Sequence, residues 1–207
     1  VLSRRIEEVS QCQDAWDAEE IPLLIDEKAE AAAALSPAAL VDGILAKRNL
    51  GTSRDMAPVT IGLGPGFEAG EDVDFVVETM RGHDLGRIIE EGCALPNTGI
   101  PGTVGGVSKE RVIHSPCEGV IKNKKEIGDL VEKDEYLAYV GETPVKASIS
   151  GVLRGIIRNG YQVPKGMKIA DIDPRKEEKK NCYTISDKAR CIAGSVVEIL
   201  LSQGVMP

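Results

Sequence analysis

Short apolar runs, separated by connections rich in Ala, Gly and Pro, dominate residues 1–110, and this pattern is typical of an α/β domain. The run Pro22–Asp26 predicts a buried strand, and the runs Val59–Leu63 and Val73–Thr79 predict two further strands. Glu27–Leu35 is rich in Ala, Glu and Lys and predicts a helix. The run Ala39–Ala46 fits a strand or a helix, and both alternatives stay open.

Two further stretches, residues 84–106 and 175–180, lack the apolar runs of a buried strand. Asp84–Glu91 predicts a helix that Gly92 would end, and residues 92–106 predict an ordered loop. The stretch Arg175–Lys180 is highly charged and predicts an exposed link.

The carboxyl-terminal segment predicts a helix from Ser186 to Leu201. Ser186 is the expected N-cap, and Asp187 suits the positive end of the helix. Gly204 and Pro207 are expected to close the segment. One face of the helix should carry four apolar residues, Ile192, Val196, Val197 and Leu200.

Residues 111–174 contain an internal repeat, because a shift of 32 residues overlays this stretch on itself without a gap. Gly119-Val120 then meets Gly151-Val152, and Gly128 meets Gly160. Each copy predicts small hairpins with glycines at the turns. Neither copy can bury its apolar face alone, so the two together predict a small closed β-sandwich.

This repeat resembles the barrel-sandwich hybrid of biotinyl and lipoyl carrier domains, which place a modifiable Lys on the hairpin between the two halves. Here that hairpin is Gly141–Pro144, which contains no Lys, and the nearest is Lys146. We therefore expect a packing or docking module. The predicted organisation is a Rossmann-like or related α/β domain over 1–110, this sandwich over 111–174, and a linker with a C-terminal helix over 175–207 that packs on the α/β domain.

Composition narrows the classes of function. A net charge of −8 argues against a nucleic-acid or an anionic membrane surface. No apolar run approaches the roughly 20 residues needed to cross a bilayer. Five widely spaced cysteines without a CxxC pair predict free thiols in a reducing cytoplasm. No metal constellation is expected around the two histidines, and the oligomeric state stays open.

A glycine-rich loop follows the predicted strand at Val59–Leu63. Gly62, Gly64 and Gly66 free backbone amides that could form an anion-binding concavity. The pattern matches neither GxGxxG nor GxxxxGK[ST], and Pro65 removes one donor. A phosphate or carboxylate site and a tight turn are both compatible with this loop.

Charged residues cluster after the strand predicted at Val73–Thr79, at the edge where α/β folds bind ligands. They are Glu78, Arg81, His83, Asp84 and Arg87. The His83 imidazole is a candidate general base with Asp84 beside it, and the arginines could hold an anion bidentately. The alternative is a local network of salt bridges in which Asp84 caps the predicted helix.

Three further segments are candidates for the same crevice. Lys47, Arg48 and Asn49 either join it or form a solvated turn. Asn97 opens the stretch Asn97–Gly102, which predicts a lid or binding loop. Cys93 is the thiol most expected to be exposed, and it is the first candidate if a cysteine carries sulfur or selenium.

Six motifs in order resemble one bacterial family, the selenium-dependent molybdenum hydroxylase system proteins. They are AKRNLGT at 46–52, APVTIGLGPGFEAGEDVDFVVETMRGHDLGR at 57–87, PNTGIPGTVGG at 96–106, GVLRGIIRNG at 151–160, KIADIDPR at 168–175 and TISDKAR at 184–190. The family usually begins with a Gly-rich strand–loop–helix, which this chain lacks. We therefore expect a trimmed chain or a protein shorter than its relatives.

The resemblance implies a maturation factor for a xanthine-dehydrogenase-like molybdenum hydroxylase, its expected partner. The chain would bind that enzyme or an anionic cofactor, such as a molybdopterin-type or other phosphate-bearing ligand. An enzyme that transfers sulfur or selenium on a small anionic substrate, with His83 as acid/base, is an alternative. A non-catalytic structural scaffold is another, so whether the chain is an enzyme stays open.

Overall fold

A computed structural model describes residues 1–99 and 102–205 of this 207-residue chain. Residues 1–97 and 187–205 form one compact unit, and the described residues of 98–186 form the other. Ile100 and Pro101 of the predicted lid, and the closing Pro207, lie outside the described residues.

The first unit contains three short helices and several small sheets. Its elements are β1 Ser3–Ile6, α1 Cys12–Asp17, β2 Ile21–Leu24, α2 Glu30–Leu35, β3 Leu40–Asp42, β4 Thr60–Leu63, β5 Glu68–Ala69, β6 Phe75–Val77, β7 Ile88–Ile89, β8 Gly92–Cys93 and α3 Asp187–Ser202. Strands β1 and β2 pair in parallel, and β5 pairs with β8. The chain is therefore of mixed α/β class, as the sequence predicts.

The central sheet of this unit has the order β3-β4-β6-β7. Strands β3, β4 and β6 are parallel, and β7 returns antiparallel to β6. Helix α3 packs on one face through Ile192 and Ile199, which contact a core containing Ile61 and Val77. The other face carries a second core that includes Phe67 and Val76. Burial on both faces explains why these strands are almost continuously apolar.

The predicted strands at 59–63 and 73–79 are confirmed, with shorter bounds, and the ambiguous run at 39–46 contains strand β3. The run 22–26 forms strand β2 at Ile21–Leu24, but the expectation that it is buried is wrong, because Ile21 and Leu23 are exposed. The predicted helix Asp84–Glu91 is wrong, because residues 78–87 form the connection of a β6–β7 hairpin. Two backbone bonds close that connection, from Gly86 N to Glu78 O and from Glu78 N to Arg87 O, both at 2.9 Å. Gly86 has φ of +83°, a left-handed conformation that a continuing helix does not allow.

The predicted C-terminal helix is confirmed, but one residue of its predicted apolar face is not. Val197 is exposed, whereas Ser195 and Ile199 are buried beside Ile192. With 3.6 residues per turn, position 197 lies about 140° around the helix from position 192. Ile199 lies about two turns after Ile192 and therefore on the same face, so it takes the buried place that the sequence pattern assigned to Val197.

The second unit is nearly all β. Its strands are β9 Val112–His114, β10 Gly119–Asn123, β11 Leu130–Val131, β12 Tyr136–Val140, β13 Thr143–Lys146, β14 Gly151–Ile156, β15 Gln162–Val163 and β16 Lys168–Asp173. A 3-10 helix over Lys176–Tyr183 follows β16, and it begins in the stretch Arg175–Lys180, predicted as an exposed charged link.

The 32-residue repeat maps strand onto strand, with β10, β11 and β12 corresponding to β14, β15 and β16. The first strand of each copy pairs with the second strand of the other copy, β10 with β15 and β14 with β11. Two sheets result, β13-β12-β10-β15 and β11-β14-β16-β9. Both contribute to one core, in which repeat-related residues such as Leu137 and Ile169 are buried together.

The strands of this unit do not close into a barrel among the residues described, since they belong to two separate four-stranded sheets. That finding corrects the expectation of a closed sandwich, while the shared core shows why both copies are needed. None of the helices seen in residues 1–99 and 102–205 is long and apolar enough to cross a membrane.

Candidate functional site

The candidate site lies at the carboxyl edge of the parallel strands of the first unit. Strands β3, β4 and β6 end at Asp42, Leu63 and Val77, and the segments that follow them leave the sheet on the same side. This edge is the usual ligand-binding edge of an open α/β sheet. The opposite edge is closed by structural contacts, because the Asp74 carboxylate accepts hydrogen bonds from the Thr60 backbone and hydroxyl.

The segment after β3 is held by its own side chains. The buried Asp42 carboxylate accepts a 2.7 Å bond from the Thr52 hydroxyl and a 3.0 Å bond from the Ile44 amide. The Asn49 side chain accepts from the amides of Gly51 and Thr52 and donates to the Thr52 carbonyl, each at 2.8 Å. Asn49 therefore shapes the turn that presents Lys47 and Arg48.

Lys47 has φ of +65°, a left-handed conformation that non-glycine residues rarely adopt. Such a conformation persists only where the surroundings enforce it, and it is common at ligand sites. Both Lys47 and Arg48 are exposed. The segment thus holds two cations at the sheet edge at a cost in backbone strain.

The three glycines after β4 are required by close packing within the unit. A Cβ on Gly62 would lie 2.6 Å from the Phe67 ring, and one on Gly64 would lie 2.6 Å from the Thr79 hydroxyl. A Cβ on Gly66 would lie 2.5 Å from the Arg48 backbone. The Gly64 amide also donates to the Val77 carbonyl at 2.9 Å, so it is not open to an anion. These contacts favour the tight-turn interpretation of the loop.

Glu78 is buried directly after β6, and its two carboxylate oxygens are both engaged. One accepts from the Met80 amide at 2.6 Å and the other from the Leu95 amide at 2.7 Å. The side chain therefore ties the β6–β7 hairpin to the segment that leads to Asn97. This is a structural task at the centre of the site.

The hairpin carries its remaining polar residues outward. His83 and Asp84 are exposed in its turn. Asp84 does not cap a helix as predicted, because the residues that follow it form strand β7. Arg87 is exposed at the base of the hairpin, where its backbone pairs with Glu78. Whether His83, Asp84 or Arg87 acts on a ligand stays a prediction, as does the role of exposed Asn97.

Helix α3 brings two residues, Asp187 and Lys188, to this edge. Arg81 donates two hydrogen bonds to the Asp187 carboxylate, at 2.8 and 2.9 Å. This contact, together with an Asp187 bond from the backbone of Lys188, holds the pKa of Asp187 well below its usual range. The hairpin and the first turn of α3 are thereby joined at the sheet edge.

Lys188, the next residue of α3, is partly buried near two other cations and one carboxylate. Burial lowers its pKa most, and the charges of Lys47 and Arg81 lower it further. The carboxylate of Glu78 opposes these effects only in part. Three cations from distant parts of the sequence, Lys47, Arg81 and Lys188, therefore form one electrostatic cluster at the carboxyl edge of the sheet.

Sequence reasoning grouped Lys47 and Arg81 but missed Lys188 and Asp42. One signal could have found Lys188. A lysine in the first turn of a helix faces the positive end of the helix dipole, so the residue is electrostatically misplaced unless an anion is near. Asp42 carried the ordinary signal of an acid at the end of an apolar run.

Thiols and metal ligands add little to this site. Cys93 is exposed, as predicted, but Cys191 is exposed as well. The Cys191 thiol lies 3.2 Å from the Leu85 carbonyl, and it packs so closely on Gly86 that a Cβ there would lie 2.6 Å from the sulfur. Within the described part of the chain, no group of three His, Cys, Asp or Glu residues is placed to hold a metal ion.

No family model matches this chain. The uncharacterized protein YqeB of Escherichia coli K12 is 47% identical to it over 188 residues, which cover 89% of this chain and 35% of YqeB. The chain thus spans about a third of the length of this curated relative.

Solved structures give only weak likenesses. An aspartoacylase family protein from Mesorhizobium loti is 12% identical over 66% of this chain and 52% of its own, with a TM-score of 0.31. A succinylglutamate desuccinylase/aspartoacylase from Rhodobacter sphaeroides is 15% identical over 42% of this chain and 30% of its own, with a TM-score of 0.29. Likenesses this low carry no argument about function.

Proposed function

We propose that this chain is an accessory protein in the maturation of a selenium-dependent molybdenum hydroxylase, and that its first unit holds an anionic group. The family resemblance of the six sequence motifs supports the maturation role. The group would be a molybdopterin-type or another phosphate-bearing ligand, and the hydroxylase would be the partner.

The charge around Lys188 is the observation that carries the anion site. Its ammonium is partly buried beside Lys47 and Arg81, so desolvation and like charge both disfavour the charged form. An anion bound between these groups would relieve the repulsion. The strained backbone of Lys47 adds support, because strain of this kind is often kept for a ligand.

The finer fold assignment is part of the same proposal. A Rossmann-like or related arrangement of the first unit is supported by the parallel order of β3, β4 and β6. A barrel-sandwich-hybrid-like second unit is supported by the exchange of strands between the two copies of the repeat. The anion site would then occupy the edge that such sheets commonly use.

Thermal unfolding in the presence of orthophosphate, selenophosphate or molybdenum cofactor tests the anion site. A ligand that binds only the folded state stabilises it by about 2.7 kcal/mol at 100 times its Kd. We expect a rise in Tm that Lys188→Met abolishes. The control Lys179→Met removes an exposed lysine of the second unit and should leave the rise unchanged. Equal behaviour of both variants, or no rise with any of the three ligands, would contradict the site.

The maturation role needs a separate experiment in cells. The hydroxylase purified from cells that lack this protein should be inactive, and the wild-type protein should restore its activity where Lys188→Met does not. Full hydroxylase activity without the protein would contradict the role. That result would leave the anion site to be decided by the unfolding experiment.

A further inference from the structure

The outward face of the sheet β13-β12-β10-β15 combines three lysines with two tyrosines. We call these residues the lysine–tyrosine face: Lys122, Lys124, Tyr136, Tyr139 and Lys146. Lys122 lies directly opposite Tyr139 across β10 and β12, and Tyr136 lies opposite Lys146 across β12 and β13. Ile121, Leu137 and Val145 of these strands are buried in the core while the lysines are exposed, and an irregularity of β12 between Tyr136 and Ala138 brings both tyrosines to the outer face.

The two rings are stacked on each other, and lysines flank the pair. The ring centroids of Tyr136 and Tyr139 are 5.9 Å apart and their planes differ by 9°. The Lys146 ammonium lies 5.1 Å from the Tyr136 centroid, and the Lys124 ammonium lies 6.0 Å from the Tyr139 centroid. Cation–π attraction of this kind holds the ammonium groups in place above a rigid support.

None of these three lysines forms an ion pair with any residue in 1–99 or 102–205. What sets them apart from other lysines without an ion pair is that they lie together around a pair of stacked tyrosine rings. The face is a local concentration of positive charge on an acidic protein. Its charge is therefore available to a partner.

The repeat supplies an internal comparison for this face. A shift of 32 residues carries Lys122 to Arg154 and Tyr139 to Asp171, and it carries Gly141 to Asp173. In the second sheet the cations have partners: Asp171 pairs with Arg111 at 2.7 Å, and Asp173 lies 3.8 Å from Arg154. An open depression of about 410 Å³ is lined by Arg154 and Asp171 of these groups, together with Lys168 and apolar residues of β14 and β16.

The two copies thus differ in how the charge of Lys122 and of its counterpart Arg154 is compensated. Where the second sheet has aspartates that neutralise its cations, the first has Tyr139 and Gly141 in their places. Folding does not require the unpaired charge, because the same architecture is built in the second sheet with paired charge. Lys124 and Lys146 are cations of the first copy alone, because the same shift carries them to Ile156 and Glu178.

We propose that the lysine–tyrosine face binds an acidic segment of a partner protein. The inference is independent of the anion site in the first unit. Charge complementarity selects the occupant, because the lysines lie on and beside β10 and on β13, on both sides of the tyrosines of β12, where carboxylates of an acidic segment laid across the face would meet them. Single-stranded nucleic acid fits less well, because the rings already cover one face of each other and bases need open aromatic faces.

Fluorescence anisotropy with a labelled glutamate-rich peptide tests this surface on the full chain. The test variant replaces Lys122, Lys124 and Lys146 by Gln. The matched control replaces Lys133, Lys165 and Lys179, three exposed lysines elsewhere in the second unit, so that both variants change the net charge equally. Exposed ion pairs are individually weak, and three together correspond to about tenfold in Kd.

We expect about tenfold weaker peptide binding in the test variant and nearly unchanged binding in the control. Replacing the same three lysines by Arg should preserve binding, and unaltered thermal unfolding should show that both Gln variants are folded. Equal weakening in the two Gln variants would overturn the proposal, because binding would then follow net charge alone. Tighter binding of a single-stranded oligonucleotide to this face, or self-association through it, would also overturn it.

Discussion

Arg81 and Asp187 are 106 positions apart in the sequence, yet the Arg81 guanidinium donates a hydrogen bond to each oxygen of the Asp187 carboxylate. The contact joins the β6–β7 hairpin to the first turn of α3. It also sets the place of Lys188, which follows Asp187 on the helix and feels the charge of Arg81. The Arg81–Asp187 ion pair thus fixes the position of the cation cluster and also neutralises the charge of Arg81.

Changing Asp187 to Asn should make the first unit less sensitive to acid. The folded-state pKa of Asp187 lies below its ordinary value of 3.8, so its contribution to stability is present above that value and lost as the pH falls through the folded pKa. We expect a lower Tm than wild type near neutral pH and a gap that narrows below pH 3.8. Thermal unfolding across this range measures both.

The control for that prediction is Asp84→Asn, which changes an exposed acid of the β6–β7 hairpin that carries Arg81. The Arg81–Asp187 pair is itself largely exposed, so added salt should also narrow the gap. A gap that stays constant with pH, or that Asp84→Asn reproduces, would show that the pair is not its source.

The sequence predicted strands better than it predicted connections. Apolar runs located β4 and β6 because both faces of those strands are buried, and the repeat located the strands of the second unit. The small hairpins expected within each copy are wrong, because β11 and β15 pair with the other copy and not with the strand before them. Prediction from the sequence also failed for Asp84–Glu91, where local composition favours a helix. The pairing of β7 with β6 and the packing of Gly86 on Cys191 decide that segment, and both depend on residues far away in sequence.

Much the same applies to the candidate site. The motifs grouped Lys47, Arg48 and Arg81 by their position after strands, and strand order brings the segments that carry them to one edge. The sequence could not indicate that Glu78 is engaged by two backbone amides, or that Lys188 comes from the far end of the chain. Tertiary contacts alone assign those roles.

Gly66→Ala should destabilise the first unit and move the Lys47–Asn49 segment. The added Cβ would meet the Arg48 backbone at 2.5 Å, and Gly66 has φ of +111°. Gly70→Ala is a matched control, because Gly70 has φ of +91° with nothing within 4 Å of a Cβ. Backbone strain should cost both variants about 1–3 kcal/mol in urea unfolding. Only Gly66→Ala should lose more than that, so equal losses would contradict the close contact.

Glu78→Gln should weaken the tie between the β6–β7 hairpin and the segment before Asn97. An amide keeps one acceptor oxygen and turns a donor toward the second backbone N–H, so one buried hydrogen bond is lost. We expect a loss of about 1–3 kcal/mol in the free energy of unfolding. Glu91→Gln, an exposed neighbour, should change it little. Similar values for the two variants would mean that the buried carboxylate does not hold the hairpin.

Lys188→Met should stabilise the protein that contains no ligand. The folded-state pKa of Lys188 lies below its ordinary value of 10.5, so the unfolded chain binds the proton more strongly. Stability therefore rises with pH between the folded value and 10.5, and the full penalty of charging Lys188 is present at lower pH. The variant should have the higher Tm near neutral pH, and its advantage should shrink toward pH 10.5.

The same variant separates a structural lysine from a ligand-binding one. A lysine kept for packing would lower Tm when replaced, and a solvated lysine such as Lys179 would leave it unchanged. A rise in Tm together with loss of the anion-dependent shift is the signature of a residue that costs stability in return for binding. A fall in Tm near neutral pH would contradict the electrostatic argument, because the cluster would then be compensated without an anion.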